Sequence, residues 1–125
     1  MTTWNLSGTE RLVLLCNGDT CMSRGGDAVT VALRRALQAE GLDPQVHTAR
    51  TRCLGRCDDG CTVVVQPDNV WYRTVTPDSA AQIVTEHLVA NRPVAPLVSF
   101  RPAEEGGLMQ VGGVTDGKIK PGLER

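Results

Sequence analysis

The segment CLGRCDDGC, residues 53–61, places three cysteines in nine positions and is followed by the apolar run TVVVQ at 62–66. A second cysteine segment, CNGDTC at residues 16–21, comes directly after the apolar run RLVLL at 11–15. Both cysteine segments contain glycine, aspartate and other polar residues, which predicts loops rather than core. The clustered thiols of these two loops are the candidate functional site.

The composition narrows the class of protein. The chain has 125 residues, enough for one domain with a single core, and its formal net charge is −1. This charge argues against a nucleic-acid or membrane-surface binder, because such proteins carry a basic surface. The sequence has neither an apolar run of roughly 18 residues nor a basic, apolar leader. We therefore expect a cytoplasmic protein, in which clustered thiols more often bind metal than form disulfides.

Hydrophobic periodicity predicts an α/β chain of the order β-α-β-β-β-α. The helix between the first two strands is marked by Val29, Leu33 and Leu37 at intervals of four residues. Thr76 followed by Pro77 predicts the start of the last helix. The predicted elements are strand 11–16, a helix from Asp27 to Gly41, strand 45–51, hairpin strands 61–66 and 70–75, and a helix ending near Asn91.

The end of the chain differs from the rest in composition. Residues 92–125 contain four of the seven prolines and six of the 13 glycines. We therefore divide the chain into a domain of residues 1–98 and an irregular Gly/Pro-rich tail of residues 99–125. The tail is expected to pack partly on the domain or on a partner subunit, with LMQV and KIK as candidate edge strands.

The two cysteine loops are expected to meet in space. A βαβ crossover makes its two strands parallel, so both strands end at the same edge of the sheet. Cys16 ends the first strand, and Cys53 follows the end of the second. Cys16 and Cys21 form a C-x4-C pair, and Cys53 and Cys57 form a C-x3-C pair. If the strands are neighbours, these four thiols converge at one sheet edge.

The spacing of the thiols favours one chemistry without excluding the others. Structural zinc commonly uses C-x2-C pairs, and dithiol redox chemistry uses C-x-x-C, whereas the pairs here are wider. A [2Fe–2S] cluster has two irons, each needing its own thiolate pair, and longer loops with glycines such as Gly18 and Gly55 suit that larger object. The residues favour a [2Fe–2S] cluster and leave zinc, disulfides and reduced structural cysteines open.

The chain also resembles a known family, the thioredoxin-like [2Fe–2S] ferredoxins, which are related to the small iron–sulfur subunit of NADH dehydrogenase and to Shethna-type ferredoxins. The resemblance covers about residues 11–97 and is carried by VLLCNGDTCMSRGGDAVTVALRRAL, TRCLGRCDDGCTVVVQPDNVWYRTVTPDSAAQIVTEHL and NRPV. It implies a thioredoxin-like fold with a mixed sheet and a homodimer that passes single electrons between redox partner proteins. It also implies one [2Fe–2S] cluster with the ligands Cys16, Cys21, Cys53 and Cys57.

Cys61 departs from the family pattern, because similar proteins often have proline or another residue at this position. The fifth thiol is interpreted as a small hydrophobic residue at the start of a strand. A substitute ligand and a pairing with a partner chain are the alternatives.

The sequence contains none of the common catalytic motifs, and an electron carrier needs none because its chemistry belongs to the cofactor. We therefore expect a protein that is not an enzyme. His47 and His87 are not in paired cysteine–histidine loops and are expected to be structural or exposed. Two alternative functions stay open: a zinc-stabilised protein-interaction module, and an iron–sulfur accessory or sensor subunit of a larger oxidoreductase.

Four arginines, Arg24, Arg50, Arg52 and Arg56, lie in or beside the cysteine loops. An anionic cluster is costly to bury unless N–H donors and cations offset its charge. We expect some of these arginines to raise the reduction potential of the cluster and others to form a docking surface.

Overall fold

The apolar runs of the sequence become the strands of one mixed sheet. The computed structural model describes residues 2–123. Within that range the strands are β1 (Arg11–Cys16), β2 (Val46–Thr51), β3 (Val63–Gln66), β4 (Val70–Tyr72), β5 (Val98–Pro102) and β6 (Leu108–Gln110). Their order in the sheet is β2-β1-β3-β4-β5-β6, with β1 parallel to β2 and all other neighbours antiparallel. The predicted α/β class and mixed sheet are confirmed.

Among the described residues, three α-helices accompany the sheet: α1 (Asp19–Ser23), α2 (Gly26–Ala39) and α3 (Pro77–Gln82). The helices α2 and α3 pack together, and α2 lies against β1 and β2. Side chains such as Leu33 and Leu37 of α2 and Ile83 beyond α3 are fully buried. Burial of an aliphatic side chain of this size contributes about 1.5–3 kcal/mol to stability. The core therefore lies between the sheet and these helices, on the periodic apolar face that the sequence predicts.

The predicted start of the last helix is confirmed in detail. The Ser79 backbone N–H donates to the Thr76 hydroxyl at 3.2 Å, and the Thr76 N–H donates to the Ser79 hydroxyl oxygen at 2.8 Å. Pro77 follows at the first helical position, where its missing N–H costs nothing. The helix continues beyond Gln82 with π-helical geometry over Ile83–Val89.

The structure differs from the prediction in the first cysteine loop and in the tail. Residues of the first cysteine loop form the short helix α1, because the polar segment after Gly18 turns at once into a helical turn that buries Cys21. In the tail, LMQ forms β6 as predicted, whereas residues 118–120 are not in a strand. β5 joins the sheet through β4, so the expected division between residues 98 and 99 falls within a strand.

A chain of buried and half-buried polar side chains lies at the end of the sheet that is remote from the cysteine loops. The Tyr72 hydroxyl lies 2.8 Å from His87 Nδ1, and His87 Nε2 lies 2.8 Å from an Asp68 carboxylate oxygen. Arg11 donates two hydrogen bonds of 3.1 Å to the same carboxylate. His87 is 1% exposed, so it is structural, as expected. Burial raises the pKa of Tyr72 to about 12, which keeps this hydroxyl neutral.

Across residues 2–123, no helix is long and apolar enough to span a membrane.

Candidate metal centre

The parallel pairing of β1 and β2 brings the two cysteine loops together. Cys16, the last residue of β1, pairs with Thr51, the last residue of β2. The Asn17 backbone N–H extends the pairing by donating to the Thr51 carbonyl at 2.8 Å. Both loops leave the sheet at this edge, which confirms the expectation that the strands are neighbours.

The first thiol pair is part of the core. Cys16 and Cys21 are 5% and 1% exposed, and both belong to the buried apolar cluster under the helices. Burial raises the pKa of Cys21 to about 11, while a hydrogen bond from the Thr62 backbone N–H acts in the opposite direction. The Cys16 backbone N–H donates to the Thr62 carbonyl at 3.0 Å, so Thr62 is bonded to the first residue of the pair.

The second thiol pair lies on the surface. Cys53 and Cys57 are exposed, and their sulfur atoms are 3.4 Å apart. The Gly55 backbone N–H donates to Cys53 Sγ at 3.2 Å and lowers the pKa of that thiol. The hydrogen bond between the two thiols raises the pKa of Cys57. Gly55 has φ +87°, a left-handed conformation that favours glycine and aims its N–H at the sulfur.

Two glycines allow the cysteine segments to touch. A Cβ atom at Gly18 would lie 2.8 Å from the Cys53 backbone nitrogen. A Cβ atom at Gly60 would lie 2.8 Å from Cys21 Sγ. Real Cβ atoms essentially never lie this close to another atom. Each loop therefore approaches the other at a position that only glycine occupies without a shift.

The thiols form two pairs rather than a single shell. In the part of the chain that the structure describes, no three cysteine, histidine or acidic side chains converge to hold one metal ion. A tetrahedral zinc site needs four ligands about one ion, whereas the rhomb of a [2Fe–2S] cluster takes one thiolate pair for each of its two irons. The grouping of the four thiols into two pairs is the arrangement that a [2Fe–2S] cluster takes.

One buried hydroxyl beside the thiols lacks a partner among the described residues. Thr62 is 1% exposed, and its Oγ1 has no hydrogen bond. The pairing of Leu15 with Val63 places Thr62 opposite Cys16, and opposite residues share one face of an antiparallel pair. Buried hydroxyls are normally hydrogen-bonded, and the sulfur atoms of a cluster would supply acceptors here. Sequence analysis missed Thr62, whose only signal is its place between Cys61 and the buried strand β3.

Cys61 is 2% exposed and packs in the core. Its Sγ lies 3.5 Å from the carbonyl oxygens of Cys21 and Arg24, and burial raises its pKa. These contacts agree with the interpretation of Cys61 as a small buried residue close to the strand.

Three of the four arginines near the loops have specific contacts. Arg24 donates to the carbonyl oxygens of Cys57 and Asp58 at 2.8 and 3.3 Å. Arg50 donates to Asn17 and Asp27 at 2.8 and 2.7 Å. Arg56 pairs with Asp59 and reaches the tail, a contact that the sequence did not indicate. Arg52 is exposed beside Cys53.

The fold and the paired thiols define a thioredoxin-like iron–sulfur protein. The sequence profile of the thioredoxin-like [2Fe–2S] ferredoxins matches residues 3–88. The chain therefore belongs to this family, and its cofactor is a [2Fe–2S] cluster.

Relatives in bacteria agree with this assignment. A protein of Priestia megaterium assigned as a 2Fe-2S ferredoxin is 49% identical over 88 residues, which are 70% of this chain and 68% of the relative. A 2Fe-2S ferredoxin of Aquifex aeolicus is 37% identical over 83 residues, which are 63% of this chain and 72% of the relative.

Solved structures give the same result. The structure of a thioredoxin-like [2Fe–2S] ferredoxin from Aquifex aeolicus matches with a TM-score of 0.72 at 30% identity. The match covers 79% of this chain and 98% of the Aquifex chain. The predicted thioredoxin-like fold is confirmed.

Proposed function

We propose that the protein carries single electrons between redox partner proteins, and that Cys16, Cys21, Cys53 and Cys57 hold its [2Fe–2S] cluster. The observation that carries the ligand assignment is the convergence of two thiol pairs at one sheet edge, one pair in the core and one on the surface. When bound, the cluster supplies the one-electron chemistry.

The chain's own residues position the cluster and moderate its charge. Cys16 and Cys21 anchor it to the end of β1 and to α1, where apolar side chains exclude water. The Gly55 backbone N–H donates to Cys53 Sγ at 3.2 Å, and the Thr62 backbone acts to lower the pKa of the Cys21 thiol. Such donors stabilise the anionic, and especially the reduced, state.

The exposed pair faces the solution and defines where a partner approaches. Cys53 and Cys57 are exposed, as are Met22, which follows Cys21, and Arg52, which precedes Cys53. We propose that electrons pass through this surface, with Arg52 in contact with an acidic patch on the partner. Arg24 instead acts through the carbonyl groups of the second loop.

The proposal includes three further properties of the protein. The protein is not an enzyme on its own, acts in the cytoplasm and forms a homodimer. Residues 1–98 contain all the proposed ligands, and we keep residues 99–125 as the tail.

Purification without air, with iron, sulfide and zinc assayed on one sample, tests the proposal. We expect about two irons and two sulfides per chain, visible absorption bands, and an S = 1/2 EPR signal that appears on reduction with dithionite. A colourless protein with one zinc would contradict it. Serine variants of the four proposed ligands should lose or alter the signal, whereas Cys61→Ser serves as the matched control that retains it.

A further inference from the structure

We infer that Arg56 is a positioning residue that links the second cysteine loop to the C-terminal segment 98–117, so that this segment fixes Cys57. The inference rests on the proposed role of Cys57 as a ligand. The segment lies beyond residues 3–88, which the family profile matches, whereas Arg56 lies within them.

The first contact of Arg56 lies within its own loop. Its guanidinium pairs with the carboxylate of Asp59, and the two side chains are only 15% and 6% exposed. Arg56 directly precedes the Cys57–Asp59 turn of 3₁₀ helix, and Asp59 is the last residue of that turn. An ion pair at this low exposure is little screened by solvent, and removal of one partner leaves a buried charge unpaired.

The second and third contacts of Arg56 are with the C-terminal segment. Arg56 Nη2 donates to the Thr115 carbonyl at 2.6 Å. Its guanidinium carbon lies 4.9 Å from the centre of the Phe100 ring, within the range of a cation–π contact. One side chain therefore joins the turn that carries Cys57 to two separate parts of the tail.

The segment is itself fixed to the sheet and can thus act as a support. The Val111 backbone N–H donates to the Ser99 carbonyl at 2.9 Å. Arg73 donates to the Gly113 carbonyl at 2.5 Å, and the Gln110 amide donates to Asp116 at 2.9 Å. These bonds hold residues 110–116 beside the Arg56 side chain.

Two guanidinium groups hold the Cys57 turn from different directions. Arg24, which follows α1, donates to the carbonyl oxygens of Cys57 and Asp58, whereas Arg56 holds the turn from the side of the tail. A cleft of about 220 Å³ separates the turn from residues 115–117. Release of Arg56 should widen this cleft, admit water to the proposed cluster and allow Cys57 to move.

The test uses the full-length protein with four substitutions. Arg56→Lys keeps a cation beside Asp59 but loses the planar fork that reaches Thr115 and stacks on Phe100. Phe100→Leu removes the ring while keeping β5 apolar, and Arg56→Gln removes the cation altogether. Thr115→Ala is the matched control, because Arg56 contacts the backbone carbonyl of Thr115 and not its side chain.

Hydrogen exchange of residues 53–60 and 110–117 measures the link whether or not a cluster is bound. Arg56→Lys and Phe100→Leu should each speed exchange in both segments by about tenfold, as expected for loss of one such contact. Iron release to a chelator should accelerate in the same order, and the reduction potential should shift. Thr115→Ala should match the parent protein in all three measurements.

The outcomes separate this inference from the proposed function. Faster exchange in residues 110–117 with unchanged exchange in 53–60 and an unchanged potential would overturn the link, because the tail would then only rest on the loop. Zinc or no metal in the parent protein would instead contradict the proposed function, while coupled exchange of the two segments would still support the link. If Arg56→Gln does not fold, Arg56→Lys and Phe100→Leu decide the question.

Discussion

The two cysteine pairs are built by different forces. Cys16 and Cys21, at 5% and 1% exposure, are placed by the same apolar packing that folds the core. Cys53 and Cys57 lie on an exposed loop that backbone hydrogen bonds, glycine conformation and two arginines hold in place. Half of the site is therefore as stable as the fold, whereas the other half depends on a few polar contacts.

Serine substitutions give the largest test of this difference. Cys16→Ser should abolish the cluster and destabilise the fold, because it also buries a hydroxyl at a cost of about 1–3 kcal/mol. Cys57→Ser should affect the cluster but leave the stability of the metal-free protein almost unchanged, since its side chain is exposed. Iron content and urea denaturation measure the two effects. Equal loss of stability in both variants would contradict the proposed difference between the two thiol pairs.

Glycine substitution tests the contact between the two pairs. Gly60→Ala places a Cβ atom 2.8 Å from Cys21 Sγ, so one of the two loops must shift and iron content should fall at least severalfold. Gly112→Ala is the control, because a Cβ atom at Gly112 would meet no other atom within 4 Å. Iron per chain after reconstitution is the measurement, and full occupancy in Gly60→Ala would show that the loops adjust freely.

The hydroxyl of Thr62, which has no hydrogen-bond partner among the described residues, allows a test at the buried thiol pair. Thr62→Val keeps the shape of the side chain and removes the donor. If the hydroxyl donates to a cluster sulfur, the reduced state loses more than the oxidised state, and the potential should fall. A differential of about 1.4 kcal/mol corresponds to about 59 mV for one electron. Potentiometry with EPR detection measures the shift, and an unchanged potential would show that the hydroxyl makes no such bond.

Acid should destabilise the end of the sheet that holds Asp68, away from the cysteine loops. The difference between the two thiol pairs should not change. Burial acts to raise the pKa of Asp68, but hydrogen bonds from His87 and Arg11 outweigh it and hold the pKa below its ordinary value. The carboxylate therefore contributes stability above that ordinary value, and the contribution is lost as the pH falls through the lowered one.

The metal-free protein and its Asp68→Asn variant make this measurement. Their free energies of unfolding in urea should differ by about 1 kcal/mol near pH 6, and the difference should shrink as the pH falls through the lowered pKa of Asp68. A difference that does not change with pH would show that the charge of Asp68 is not what stabilises this end.

The sequence predicts well what periodicity and topology determine. Apolar runs and the βαβ rule are enough to place Cys16 and Cys53 at one edge, because these depend on local pattern and on chain handedness. The short helix α1 is missed because its five residues carry no hydrophobic period. Strand β5 is missed for a related reason: Val98 and Phe100 are separated from the rest of the sheet in sequence, and only pairing with β4 makes them a strand.

Side-chain contacts between distant segments lie outside the reach of pattern reasoning. Arg56 and Thr115 are 59 positions apart, and nothing in either segment alone indicates their contact. The same holds for Thr62, whose missing partner is visible only once burial and hydrogen bonds are known together.

Because β1 and β2 are parallel, the proposed cluster site and the turn that leads into β2 lie at opposite ends of the molecule. The proposed ligands lie at the end where these strands finish, while the turn at residues 41–44 precedes β2 at the opposite end, with Asp43 and Pro44 exposed. Attachment of the protein to an electrode through that turn would leave the cysteine end directed toward the solution. The strand topology thus determines which end of an electron carrier attached in this way faces the solution.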